Sequence, residues 1–384
     1  KLEAACVDVV AFRWLASGSA PDYRAIARFR KRHLSALGHV FVQALALCQA
    51  AGMVSLGRVA LDGTKVRANA SKRKAMSYAR MTEKEKVLAA EVSALLLEAE
   101  RIDKAEDQQF GKDRRGDELP AELARRETRL VKIRQAKAAL EHEAAEAARA
   151  DAERKARERD DDDDTTTSAG AAAAAAATPK PKAQRNFTDP DSKIMLTADG
   201  AFHQCYNAAA VVDADHQVIV ATAVGTNAAD VGTLLPMTRQ AAANTGRVPA
   251  QVLADAGYSS AANCEAAAAY TATYGTEFFI APGRRRRDDP APVAPRGRIP
   301  ADATTKQRMA RKLTTKRGQQ VYARRKAIVE PVFGQMSTLQ NAKHLLLRGL
   351  EQARGEWLLL AACHNIRKLH GHIGLTGLSA LPAY

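Results

Sequence analysis

The chain is poor in aromatics, in cysteine pairs and in long apolar runs. Phe, Trp and Tyr make up 5% of its 384 residues, and Ala inflates a hydrophobic content of 46%. A buried core is therefore expected over part of the length only. The five cysteines, Cys6, Cys48, Cys205, Cys264 and Cys363, are widely spaced and form no C-x-x-C pair. That excludes a disulfide framework and a zinc finger, and it fits a reduced, cytoplasmic compartment. No apolar run approaches the roughly 18 residues that a membrane span needs. No signal peptide is visible. The first residue is Lys1 rather than Met, so an N-terminally truncated fragment is expected.

What the chain has in excess is positive charge. Lys plus Arg number 58 against 43 Asp plus Glu, a net charge of +15. A polyanionic partner follows, with nucleic acid the first candidate. A membrane surface is disfavoured, because no basic amphipathic stretch carries Trp or Phe anchors.

Read in order, residues 1–56 form a helical N-terminal region. A basic helix starts behind Pro21, capped by Asp22, and carries Arg24, Arg28, Arg30, Lys31 and Arg32. Residues 57–79 open a core domain. Val59-Ala60-Leu61 is a short apolar strand ending on Asp62, and Gly63 turns the chain. Residues 80–185 are an insertion. Two runs rich in strong helix formers, 83–109 and 118–159, make an antiparallel hairpin, broken at Gly111, Gly116 and Pro120. The acid run Asp160–Asp164 and the alanine tract Ala171–Ala177 follow as a disordered, low-complexity linker with a solvated charge run. Residues 186–384 complete the core. Strands are expected at 193–197, 206–212, 218–224, 251–254 and 277–281, alternating with helices, which indicates a mixed α/β sheet. Asp213, Asp215 and His216 read as a solvated hairpin tip. His364 and Asn365 read as satisfied core residues on a final apolar helix.

Asp62 and Asp255 share one pattern: a short apolar strand, the acid, then a turn. Glu330 follows on a basic helix. Three such carboxylates suit two divalent cations, Mg²⁺ or Mn²⁺, that activate an attacking oxygen and stabilise a leaving one on a phosphodiester. Lys65, Arg67 and the Arg284, Arg285, Arg286 and Arg287 loop are candidate phosphate contacts. Asn207 is a candidate outer support for the acids.

These residues, with their surroundings, resemble a known family. The segments are VALDGTKVRANAS at 59–71, YNAAAVVDADHQVIV at 206–220, LADAGYSS at 253–260, YARRKAIVEPVFGQM at 322–336 and HNIRKL at 364–369, together with the leading helices RWLASGSAPDYRAIARFRKRHL at 13–34. The chain is similar to bacterial insertion-sequence transposases of the DDE type. The resemblance implies an RNase H-like core, an α/β mixed sheet flanked by helices. It implies Asp62, Asp255 and Glu330 as catalytic, metal-holding acids and two Mg²⁺ ions. Tyr322, with Arg325 or Lys326, resembles the family's tyrosine–basic–glutamate signature at the DNA. The implied activity is metal-dependent cleavage of element ends and strand transfer to target DNA, by a homodimer in a nucleoid-associated synaptic complex. One departure stands out: Ser337 lies where such proteins often carry a lysine or arginine. A nuclease on the same fold and an inactive DNA-binding remnant or repressor are the alternatives.

Overall fold

The computed structural model describes residues 2–110, 121–159, 163–283 and 297–381. Arg284–Arg287, Asp160–Asp162 and the helix-breaking Gly111, Gly116 and Pro120 lie outside the described residues. The chain folds as two compact units: Lys1–Asn69 with Met195–Tyr384, and Ala70–Ile194.

The first unit opens with α1 (Leu2–Asp8), α2 (Val10–Leu15), α3 (Tyr23–Arg32) and α4 (Leu34–Ala50). Asp22 caps α3 as expected, accepting the Ala25 N–H at 2.6 Å; such a cap satisfies an amide that the first turn leaves unpaired. The strand β1 (Val59–Arg67) then runs straight through Asp62 and Gly63. The turn expected at Gly63 is absent, and Gly63 pairs with Ala209 in mid-strand. The reason is space rather than backbone freedom. A Cβ on Gly63 would sit 2.6 Å from Asp230 Oδ1, so a close approach, not a reversal, selects glycine.

The second unit contains β2 (Ala75–Ser77), α5 (Tyr78–Phe110), α6 (Ala121–Glu158), α7 (Asp163–Ala176) and β3 (Gln184–Asn186). The helices α5 and α6 pack antiparallel around Met81, Leu88, Leu130, Ile133, Ala136 and Leu140. Ion pairs fix their register: Arg126 with Glu91 at 3.4 Å, and Glu85 with Arg134 at 3.1 Å and Lys137 at 2.9 Å. The stretch expected to be a linker is helical over Asp163–Ala176 and packs on α6. Alanine is the strongest helix former, and Gly170 provides the close approach: a Cβ there would meet the Glu153 side chain at 2.7 Å. Thr166 and Gly170 are accordingly buried.

The remainder of the first unit supplies β4 (Lys193–Leu196), β5 (Phe202–Asp213), β6 (Ile219–Gly225), α8 (Leu234–Thr245), β7 (Gln251–Ala254), α9 (Ala261–Tyr274), β8 (Glu277–Ile280), α10 (Thr305–Thr314), α11 (Lys316–Ala323), α12 (Arg325–Leu339) and α13 (Leu350–Ser379). The strand order is β4-β5-β1-β7-β8, with β6 also paired to β5. The β5–β1 and β5–β6 pairs are antiparallel, whereas β1–β7 and β7–β8 are parallel. This is the mixed α/β sheet that the alternating pattern indicates. Because side chains alternate along a strand, Val59 and Leu61 enter the core with Leu45 of α4, Met237 of α8 and Phe278 of β8. Each such buried side chain contributes about 1.5–3 kcal/mol. Asp62 falls on the opposite face, over which α12 packs. His364 and Asn365 are both fully buried. Asn365 donates to and accepts from the Ile219 backbone at 2.8 Å in each direction, locking α13 to β6.

Candidate active site

The parallel pair β1–β7 places Leu61 opposite Ala254. An aspartate follows each of these two residues, so Asp62, within β1, lies beside Asp255, which leaves the carboxyl end of β7. Parallel strand ends are where α/β sheets open a crevice. Asp62 accepts the Gly63 N–H at 2.8 Å through Oδ1 and the Arg325 Nη1 at 2.7 Å through Oδ2. Burial raises its pKa, the Arg325 guanidinium opposes the rise, and the charge of Asp255 adds to it. Asp255 starts a short 3₁₀ turn, Ala256–Tyr258, and accepts the Gly257 N–H at 2.8 Å.

Arg325 begins α12 and is buried. Burial is the largest single influence and works against its charge, but the charge and hydrogen bond of Asp62, with Tyr322 and Asp255, together raise the pKa. Tyr322, at the end of α11, adjoins Arg325 and Asp255; burial is the main cause of its raised pKa. The signature residues Tyr322 and Arg325 thus reach these two acids. The phosphate contact expected of Arg325 is not what the geometry shows, since its guanidinium is buried and bonded to a carboxylate. Lys326 beside it is exposed.

Glu330 is exposed on α12. The buried stripe of that helix is Arg325, Ile328, Val329, Val332 and Met336. Five residues beyond Arg325, Glu330 is turned about 140° away round the helix. Among the described residues no group of three or more His, Cys, Asp or Glu side chains could hold a metal ion. The structure therefore joins Asp62 with Asp255 and does not join Glu330 to them.

A third acid approaches instead from the other face, and the sequence did not reveal it. Asp230 lies just ahead of the turn Val231–Thr233 that leads into α8. Its Oδ1 accepts Asn207 Nδ2 at 2.5 Å and Lys65 Nζ at 3.3 Å. Lys65 and Asn207 face each other across β1 and β5, so the carboxylate bridges a cross-strand pair. Lys65 is thereby ion-paired rather than free for phosphate. Asn207 is 6% exposed, and its Oδ1 is buried without a hydrogen-bond partner among the described residues. The buried ring of Tyr258 lies near Asp230, Asp62 and Asp255; burial first, and these charges after it, raise its pKa. Arg67, half exposed, is paired with Asp199.

By donor type, the Asp62–Asp255 pair fits a hard divalent cation, which takes carboxylate and water oxygens. Two adjacent carboxylates, one desolvated, need a positive charge between or beside them. Arg325 supplies that charge here. The arrangement is an acid pair at the carboxyl edge of a mixed sheet, backed by a basic helical segment.

That segment has a family. Residues 298–370, which include Tyr322, Arg325, Lys326 and Glu330, match the family described as "Transposase DDE domain". The match spans 73 of the 384 residues, so it is this segment that is similar to the family. The match covers α10–α12 and part of α13 but neither Asp62 nor Asp255. No curated protein and no solved structure gives a match.

Proposed function

We propose that the chain is a transposase acting on an RNase H-like core. It cleaves DNA at the ends of an insertion element and joins the freed 3′-hydroxyl to target DNA. The observation that carries the reading is the adjacency of Asp62, where the parallel pairing of β1 stops, to Asp255 at the carboxyl end of β7, beside α12 in the segment that matches a transposase DDE domain. Asp62 and Asp255 would hold a divalent cation, and Glu330 would complete the set by a rotation or shift of α12. A bound Mg²⁺ would lower the pKa of an attacking oxygen and neutralise charge at phosphorus.

This chain's own residues then have separable tasks. Arg325 keeps Asp62 ionised and oriented until a cation takes over the carboxylate. Asp230 fixes Lys65 and Asn207 beneath the strand end. Tyr322 packs the α11 end against the acids. Strand transfer in a synaptic complex takes two copies and two DNA partners, so a homodimer on element ends belongs to this reading. Among the described residues no helix is long and apolar enough to cross a membrane.

Incubating the chain with element-end DNA and Mg²⁺ tests the reading. Cleavage and strand-transfer products are expected, and Asp62→Ala should remove both. Cleavage that persists in Asp62→Ala rules out the acid assignment. Cleavage without strand transfer selects a nuclease on the same fold. The exposed position of Glu330 and the serine at 337 favour a second reading, a DNA-binding remnant, which predicts DNA binding without any cleavage.

A further inference from the structure

The insertion carries a groove of its own. It has a volume of about 730 Å³ and lies wholly within the unit Ala70–Ile194. One rim is Arg73 and Lys74 on the short turn Lys72–Lys74, and the other is Arg125, Arg129 and Lys132 on α6. Its apolar lining includes Met76, Ile133 and Phe187. Among the described residues no acidic side chain lines it.

The cations of α6 divide by face. Arg126, Arg134 and Lys137 turn to α5 and are paired with Glu91 or Glu85. Arg125, Arg129 and Lys132 stand at i, i+4 and i+7, one stripe of the helix. They are exposed and have no ion-pair partner among the described residues. Further along the same flank, Glu143 is already held by Arg185 at 2.6 Å and Lys193 at 2.5 Å, so it does not neutralise the stripe. The opposite rim is fixed, not a loose loop. Phe187 N donates to Lys74 O at 2.9 Å, and Asn186, 1% exposed, donates from Nδ2 to Ser71 O at 2.8 Å. Five like charges held around one groove repel one another, and a polyanion relieves that repulsion.

We propose that this groove binds the phosphodiester backbone of DNA, with the insertion acting as a second DNA-holding surface of the enzyme. The proposal extends the transposase reading and rests on it. The apolar floor with Phe187 can accept an unpaired base, whereas the charged rims alone suit a duplex. A short mixed-sequence duplex and the matching single strand distinguish these two sources of the same chemistry.

The test uses the full chain and fluorescence anisotropy with both labelled DNAs. The triple variant R125E/R129E/K132E is compared with R125Q/R129Q/K132Q, which adds no acid. A control, K86E/K180E/K182E, reverses exposed lysines elsewhere in the same unit and changes the net charge equally. Helicity by circular dichroism checks that each variant folds. Between about 50 and 200 mM salt, the groove reversal should weaken binding about tenfold or more. It should also lower the log–log salt slope by about 2.7 on duplex, or about 2 on single strand, for three lost contacts. The glutamine variant should move the same way, and the control should stay near the parent. Equal losses in the groove and control variants, or no loss in a folded groove variant, overturn the proposal while parent binding leaves the transposase reading standing. A parent chain that binds neither DNA overturns both.

Discussion

Asp213 pairs with Val59 at the start of β1, Asp62 lies three residues further along that strand, and burial raises the pKa of each. Their partners differ. Asp213 is fully buried and accepts two backbone amides, Leu56 N at 2.8 Å and Asp215 N at 3.0 Å. The carboxylate thereby ties the β5–β6 corner to the approach of β1. Asp62 accepts one amide and one side-chain cation, and it shares its edge with a second acid. An acid bonded to backbone is part of the frame. An acid bonded to a movable guanidinium can exchange that partner for a metal ion.

The largest expected effect breaks the comparison outright. Asp62→Ala should cut Mg²⁺-dependent cleavage by about 10³-fold or more, since metal-held charge is worth several kcal/mol at tenfold per roughly 1.4 kcal/mol. Removing the partner of the buried Arg325 should also cost about 3 kcal/mol of stability, so cleavage is compared per folded molecule. Asp213→Ala should instead leave the folded fraction cleaving at the parent rate, while costing about 1–3 kcal/mol of stability by stranding the buried Leu56 amide. Product gels and thermal melts on the two variants decide it.

Arg325→Gln sharpens the contrast. It removes the charge beside Asp62 and Asp255, so the metal-free protein should lose about 3 kcal/mol. Added Mg²⁺ should restore part of that loss, measured as a larger Mg²⁺-dependent rise in melting temperature than the parent shows. A variant indifferent to Mg²⁺ would mean that Arg325 was not standing where a cation binds.

Gly63→Ala tests the other face of the same strand. Its Cβ would meet Asp230 Oδ1 at 2.6 Å, and such overpacking costs about 1–3 kcal/mol. In an Asp230→Ala background the cost should largely disappear. Additive losses in the double variant would show that the two residues do not crowd each other.

The smallest effect is on pH. The raised pKa of Asp62 means that ionisation is penalised in the folded state. That penalty is absent below the ordinary carboxylate range and sets in as pH rises through the folded pKa. Asp62→Asn should therefore match the parent in acid and be more stable at neutral pH. His364 behaves in the opposite sense. Burial pulls its pKa down to about 4 from an ordinary 6.5, so its contribution is complete above pH 6.5 and is lost as pH falls towards 4. Melting curves of the parent, Asp62→Asn and His364→Gln across this range separate the two contributions.

What could be read ahead of the structure followed from local chemistry. Asp62 and Asp255 each follow a short apolar run, and the parallel pairing of those runs only brings two legible patterns together. The cap at Asp22 and the α5–α6 seam are likewise local or periodic signals. Gly63 was misleading because Asp-Gly is a good turn dipeptide, while the reason for glycine here is a carboxylate arriving from Asp230. Asp230 itself could not be read, because Lys65 and Asn207 meet it only through the β1–β5 register. The facing of Glu330 follows from its place on α12, five residues beyond the buried Arg325 and outside the buried stripe. The helix over Asp163–Ala176 was masked by low complexity, although its alanines favour just that conformation.

The position of the insertion also bears on how the molecule assembles. The central pair β1–β5 joins Arg67 to Cys205, with the whole unit Ala70–Ile194 threaded between them. An open chain of that length closes slowly, because loop-closure entropy rises with length and non-local pairing limits folding rates. The β2–β3 ladder, which pairs Ala75 with Asn186, shortens the path. Once the insertion has folded, its own two ends are clasped, and β1 and β5 become near neighbours along the effective chain. Pairing of the insertion's ends thus shortens the loop that β1–β5 pairing has to close, and ribosomal synthesis delivers the insertion before β5 emerges.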